Sequence, residues 1–184
     1  MIPLDTRRPA AFLDRDGTII EDVHYIARPD QVRLIDGASH AIRRLNRAGW
    51  AVVVITNQSG IGRGLLTESD YEAVKAEVDA QLDGQGAMID AHYHCPHAPG
   101  QQCECRKPGV LLHRRAIADL VLDATRIVAV GDRWRDIAPA LTLGGRGVLV
   151  PSPDTPTEDM ERAEIEARLA PSLDAAVDVL LGAG

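Results

Sequence analysis

Four short apolar runs recur along the chain, at residues 10–13, 51–56, 127–130 and 147–150. Each is too short for a typical helix and too uniformly apolar for a half-exposed strand. Runs of this kind suit strands buried on both faces of a sheet. Residues 88–94 read as a further, more polar strand. Between the runs the apolar spacing becomes helical. Residues 36–48 put Ala38, Ala41, Ile42 and Leu45 on one stripe and stop at Gly49, a residue suited to the left-handed position after a helix. Residues 67–82 open with Thr67-Glu68-Ser69-Asp70, which has the form of a capping box, and carry Tyr71, Val74, Val78 and Leu82 at helical spacing. Further helices are expected at 110–120, 137–143, 158–169 and 173–181. Strands that alternate with helices imply an α/β fold: a three-layer, Rossmann-like parallel sheet with helices on both faces. No insertion is long enough for a separate cap domain, so residues 1–184 are expected to form one domain.

In open sheets of this type, ligands bind outside the carboxyl ends of the strands. The polar motifs fall at those ends. Run 10–13 leads into Asp14-Arg15-Asp16-Gly17-Thr18, run 51–56 into Thr56-Asn57-Gln58-Ser59, and run 127–130 into Gly131-Asp132. Alone, Asp-x-Asp-Gly reads as a turn and Thr56 as a hydroxyl serving its own backbone. Together, at neighbouring strand ends, they converge on one site. Of two carboxylates two residues apart, one can attack phosphorus while the other shuttles the proton. Asp132 is the natural third carboxylate for a hard cation such as magnesium. Thr56 and nearby backbone N–H groups can hold a phosphate oxygen. Arg106-Lys107-Pro108 sets two cations beside a rigid proline; the plain alternative is a solvated basic pair. Asp136 lies one helical turn beyond Asp132 and either supports the site or interacts with the helix dipole from the first turn. Gly60-Ile61-Gly62-Arg63-Gly64 lacks the spacing of a dinucleotide loop and reads as a flexible turn into the Thr67 helix.

All three cysteines lie between residues 95 and 105, in Cys95-Pro96-His97 and Cys103-Glu104-Cys105. An odd, clustered set is no disulfide framework and reads as metal binding in a reducing compartment. Cys95, His97, Cys103 and Cys105 supply a closed, soft, tetrahedral donor set for a structural zinc, with His92 or His94 as alternatives to His97. Because Cys105 directly precedes Arg106 and Lys107, such a zinc would pin the loop that carries both cations. The formal net charge of −7 opposes a nucleic-acid partner. It does not oppose a phosphorylated small molecule, since a local basic patch or a metal inverts the charge of a site. No run approaches the ~20 apolar residues of a membrane span, and Met1 to Pro9 has no apolar leader core. A cytoplasmic protein is expected, and a monomer, since no coiled-coil pattern is present.

In this order, the motifs resemble the haloacid dehalogenase-like phosphatases. With the Cys/His cluster ahead of Arg106, the resemblance narrows to the zinc-bearing subgroup. It covers about residues 10–150. It implies Asp14 as nucleophile and magnesium ligand, and Asp16 as general acid and base that also lends a backbone oxygen to magnesium. Asp132 would complete the magnesium site. Thr56 and Lys107 would stabilise the phosphoryl group, and Arg106 would recognise the rest of the substrate. Asp22, Tyr25, Asn57, Gln58, Ser59 and Arg133 fall on substrate-contacting segments. The implied substrate is a heptose bisphosphate, with histidinol phosphate or another small sugar phosphate as the alternative. Three positions depart from the family pattern: Ile20 where Asn is common, His24 where Gly is common before Tyr25, and Arg133 where Lys is frequent. They border the substrate pocket and leave the catalytic set intact.

Overall fold

The computed structural model describes residues 7–182, so most of the stretch read above as lacking a leader lies outside it. Six strands form one parallel sheet: β1 (Ala10–Leu13), β2 (Ala51–Asn57), β3 (Ala91–Cys95), β4 (Ile127–Gly131), β5 (Arg146–Leu149) and β6 (Arg168–Leu169). Their spatial order is β3-β2-β1-β4-β5-β6. The chain therefore builds outward from β1 on one side, returns to β4, and builds outward on the other. The order reverses between β1 and β4, which is where such sheets open a crevice for a ligand.

Side-chain alternation explains why apolar runs without a polar face became strands. Ala11, Leu13, Val52, Val54, Val128 and Val130 enter one core layer, while Ala10, Phe12, Val53, Ile55, Ile127 and Ala129 enter the opposite one. The first layer is covered by α1 (Ala38–Arg47), α3 (Glu68–Asp83) and α7 (Leu173–Leu181), through stripes such as Ala41, Ile42 and Leu45 or Ala176, Val177 and Leu180. The second is covered by α4 (Leu111–Asp119) and α5 (Trp134–Thr142), through Leu112, Ala116 and Ala140. The Thr67 capping box is formed, with the Thr67 hydroxyl accepting from Asp70 N–H and the Asp70 carboxylate accepting from Thr67 N–H.

Two local expectations are corrected. The helix expected over 158–169 is α6 (Thr157–Glu166), and its last residues instead form β6, which lies beside β5 with Ala170 N–H donating to Leu149 O. The backbone groups on the outer edge of β5 need partners, and a two-residue strand supplies them where a further helical turn would not. The glycine-rich stretch expected to be a flexible turn contains a short helix, α2 (Ser59–Gly62). Its glycines serve close packing: a Cβ on Gly62 would stand 2.6 Å from Ala98 N and 2.7 Å from Pro96 O. Among the described residues no helix is long and apolar enough to cross a membrane.

Candidate active site

A cavity of about 470 Å³ opens at the carboxyl ends of β1, β2 and β4. Asp14, Asp16, Thr56, Asn57, Gln58, Ser59, Arg106, Asp132 and Arg133 all line it, as do Asp22 and Tyr25 from the loop after β1. Sequence reasoning gave no role to three further lining cations, Arg15, Arg63 and Arg135. The one local signal for Arg63 was its place directly after the Ser59 turn. For Arg135 it was its place in the first turn of the helix after Asp132.

Lys107 organises the floor. Its ammonium is 2.7 Å from Asp14 Oδ1, 2.8 Å from Asp136 Oδ1 and 2.6 Å from the carbonyl oxygen of Ile55. All three of its donors are thus used, and the side chain is almost fully buried. The structure answers the question left open for Asp136. One carboxylate oxygen meets Lys107, and the other accepts from Arg133 N–H at the start of α5. Asp136 therefore caps the helix and holds the cation together. Gly131 makes room for it, since a Cβ there would lie 2.3 Å from Asp136 Cβ.

Asp14, Asp132 and Asp136 offer oxygens within 4.8 Å of one another, and all three are buried. Burial pushes the Asp14 carboxyl up to about 7; the adjacent Lys107 charge opposes this, and the charges of Asp136 and Asp16 reinforce it. Burial likewise raises Asp132, against the hydrogen bond from Ser152. Crowded, desolvated carboxylates of this kind favour a hard divalent cation with oxygen ligands. Asp132 is held from the loop after β5. Ser152 Oγ donates to Asp132 Oδ2 at 2.7 Å, and Thr155 Oγ1 donates to Asp132 O at 2.7 Å.

Asp16 faces a different set. Arg15, only 1% exposed, donates to Asp16 Oδ1 from Nε at 3.2 Å and from Nη2 at 3.0 Å. The same guanidinium stands over the Tyr71 ring, 5.6 Å from its centroid. Gln58 Nε2 donates to Asp16 Oδ2 at 2.9 Å and to Thr56 Oγ1 at 2.8 Å. Asn57 turns both ends of its amide to the main chain of Lys107. Asp22 accepts from His24 N–H, and His24 and Tyr25 both adopt left-handed backbone, with φ of 50° and 55°.

Beside this site, at the end of β3, the structure gathers Cys95, His97, Cys103 and Cys105. Donor separations are 3.1 Å (Cys95–Cys105), 3.2 Å (His97–Cys105), 3.6 Å (Cys95–His97) and 3.8 Å (Cys95–Cys103). A tetrahedral ion with bonds of about 2.0–2.3 Å has edges of roughly 3.3–3.8 Å; the 3.6 Å and 3.8 Å separations meet that range and the 3.1 Å and 3.2 Å ones are shorter, so the donor set suits zinc in chemistry and is somewhat contracted in size. His92 and His94 point elsewhere, to Asp79 and Glu68 on α3 at 2.8 Å and 2.9 Å. Arg106 joins the cluster to the cavity, with Nη1 donating to His97 O at 3.2 Å.

Residues 104–176 match the HAD-hydrolase-like family model. The chain is 40% identical over 165 residues to the D-glycero-β-D-manno-heptose-1,7-bisphosphate 7-phosphatase of Escherichia coli (strain K12), covering 84% of this chain and 85% of that one. It is 38% identical over 144 residues to the enzyme of the same name from Haemophilus ducreyi, covering 74% and 79%. The crystal structure of D,D-heptose 1,7-bisphosphate phosphatase from B. bronchiseptica, complexed with magnesium and phosphate, superposes with a TM-score of 0.87 at 31% identity, covering 96% of this chain and 99% of that one. Likeness of this extent, in sequence and in fold, makes the chain a member of the D-glycero-β-D-manno-heptose-1,7-bisphosphate 7-phosphatase family of haloacid dehalogenase-like hydrolases.

Proposed function

We propose that the chain hydrolyses the 7-phosphate of D-glycero-β-D-manno-heptose 1,7-bisphosphate and leaves the 1-phosphate in place. The reading rests chiefly on one observation. Asp14, Asp16, Asp132 and Lys107 meet at the sheet's switch point, under a rim that carries Arg63, Arg106, Arg133 and Arg135. That arrangement suits a molecule with one phosphate in the floor and a second anionic group at the rim. The names of the relatives supply the sugar and its anomer.

Asp14 attacks phosphorus in line and forms an aspartyl-phosphate. Asp16 protonates the departing sugar oxygen and then takes a proton from the water that opens the acyl phosphate. To do so its carboxyl swings from Arg15 toward the leaving oxygen. Lys107, exchanging its bond to Asp14 Oδ1 for one to the phosphoryl group, and Thr56 bind the equatorial phosphoryl oxygens. Arg106, Arg133, Asp22, Tyr25, Gln58 and Ser59 bound the remainder of the substrate. Asp14, Asp132 and the main-chain oxygen of Asp16 would hold magnesium, which when bound neutralises charge on the transferring group. Cys95, His97, Cys103 and Cys105 would hold zinc as a fastening for the loop of Arg106 and Lys107.

The test is phosphate release with magnesium from both anomers of the bisphosphate and from histidinol phosphate, with Asp14→Asn as the blank. A kcat/KM at least about tenfold higher for the β anomer supports the reading. Preference for histidinol phosphate overturns the substrate. Release no greater than the blank from all three overturns the activity.

A further inference from the structure

We propose that Asn57 acts as a positioning residue for Lys107, and not as a contact to the sugar. The inference goes beyond the activity proposed above and rests on that reading only for Lys107 binding the phosphoryl group. Asn57 Oδ1 accepts from Lys107 N–H at 3.0 Å, and Asn57 Nδ2 donates to Lys107 O at 3.2 Å. One side-chain amide thus satisfies both main-chain polar groups of a residue 50 positions away. The donor-acceptor pattern permits only one amide orientation, since the flipped amide would set like against like.

The bracket matters because of what Lys107 does at its other end. Its ammonium reaches Asp14, Asp136 and the Ile55 carbonyl together. Ile55 and Asn57 belong to the same strand, β2, two residues apart. Two residues of strand span roughly 6.6 Å, comparable with an extended lysine side chain. β2 therefore holds Lys107 at both ends: Asn57 fixes its backbone, and Ile55 O takes its head. The four-carbon stem of lysine is flexible and costs rotamer entropy to fix. Anchoring its root to the strand that receives its tip removes most of that freedom before substrate arrives. The neighbouring residues cannot do this. Pro108 has no N–H to offer, and Arg106 sends its guanidinium outward to His97 O.

The experiment uses Asn57→Ala, Lys107→Ala and the double variant in the full-length, metal-loaded enzyme. Each is assayed on the heptose bisphosphate and on p-nitrophenyl phosphate, which has no sugar. We expect Asn57→Ala to lower kcat about 10- to 100-fold, by the same factor on both substrates, with KM for the bisphosphate changed by less than about threefold. In the Lys107→Ala background the Asn57 substitution should cost no further activity, since its effect passes through the lysine. A loss confined to the KM of the sugar substrate overturns the proposal, and so does a loss that multiplies independently of Lys107. The aryl phosphate reads the phosphoryl chemistry alone, so failure here is distinguishable from a wrong sugar. Should Asn57→Ala not fold, Asn57→Asp keeps the shape and the acceptor but loses the donor. It carries the same comparison.

Discussion

His113 should make this protein lose stability in mild acid, and the loss can be sized. The residue lies on α4, 1% exposed, with its ring edge-on to Phe12 at 5.0 Å between centroids and 78° between planes. Its Nδ1 is buried without a hydrogen-bond partner. Burial, reinforced by the charge of Lys107, pushes the imidazole from its ordinary 6.5 down to about 3. The folded state therefore keeps the ring neutral, and the unfolded chain protonates it first as pH falls. The neutral ring's contribution is complete above about pH 6.5, declines below it, and is lost by about pH 3. Across that window, 1.36 kcal/mol per unit gives a total of about 5 kcal/mol. At pH 5 the loss from this group alone is about 2 kcal/mol, a large share of a typical folding free energy. Urea unfolding of the parent and of His113→Leu at pH 7.5 and pH 5.0 measures it. Other acid-sensitive groups, metal ligands included, are common to both proteins, so the difference between their pH dependences isolates His113. The variant should lose about 2 kcal/mol less than the parent on going to pH 5. Parallel losses in the two proteins would refute the reasoning, because the imidazole would then titrate alike in the folded and unfolded states.

The hydrogen bond from Ser152 to Asp132 should show in metal affinity: Ser152→Ala is expected to weaken magnesium binding 10- to 100-fold, read by calorimetry and by the magnesium concentration for half-maximal activity. An unchanged magnesium requirement would exclude that role. Gly131→Ala drives a methyl into Asp136 and through it disturbs both the α5 cap and Lys107. Thermal unfolding should report about 1–3 kcal/mol of destabilisation, and kcat should fall by at least about tenfold; a variant with parental values contradicts the packing argument. Cys103→Ser removes one of four soft donors, so zinc content should drop and activity fall with it through the loop of Arg106 and Lys107. Full turnover by a zinc-free variant would sink the idea that the metal serves the site.

What could be read from the sequence divides along physical lines. Strands β1, β2 and β4 were legible because burial on both faces leaves a continuous apolar run, a strong local signal. The carboxylates proposed as catalytic were legible because they sit where those runs end, and the strand order brings the ends together. β6 was not legible, since two residues carry no periodicity and their pairing is set by the open edge of β5. The same limit explains the site's inner wiring. Asn57, Gln58 and Ser59 follow Thr56 on one strand end, and position alone suggests a common role toward the substrate. Only the folded chain shows Asn57 bound to Lys107 and Gln58 bound to Asp16 and Thr56. The bonds from Asn57 to Lys107 and from Gln58 to Asp16 join residues 50 and 42 positions apart, where no local pattern can announce them. Their consequence is specific. The strand end that carries the Thr56 hydroxyl also sets the two groups that must move least and most in the proposed cycle. Lys107 is held at root and tip, while Asp16 is held only through its carboxylate, by bonds that must open when it turns to the leaving oxygen. Rigidity at one charge and release at the other therefore both begin at the end of β2.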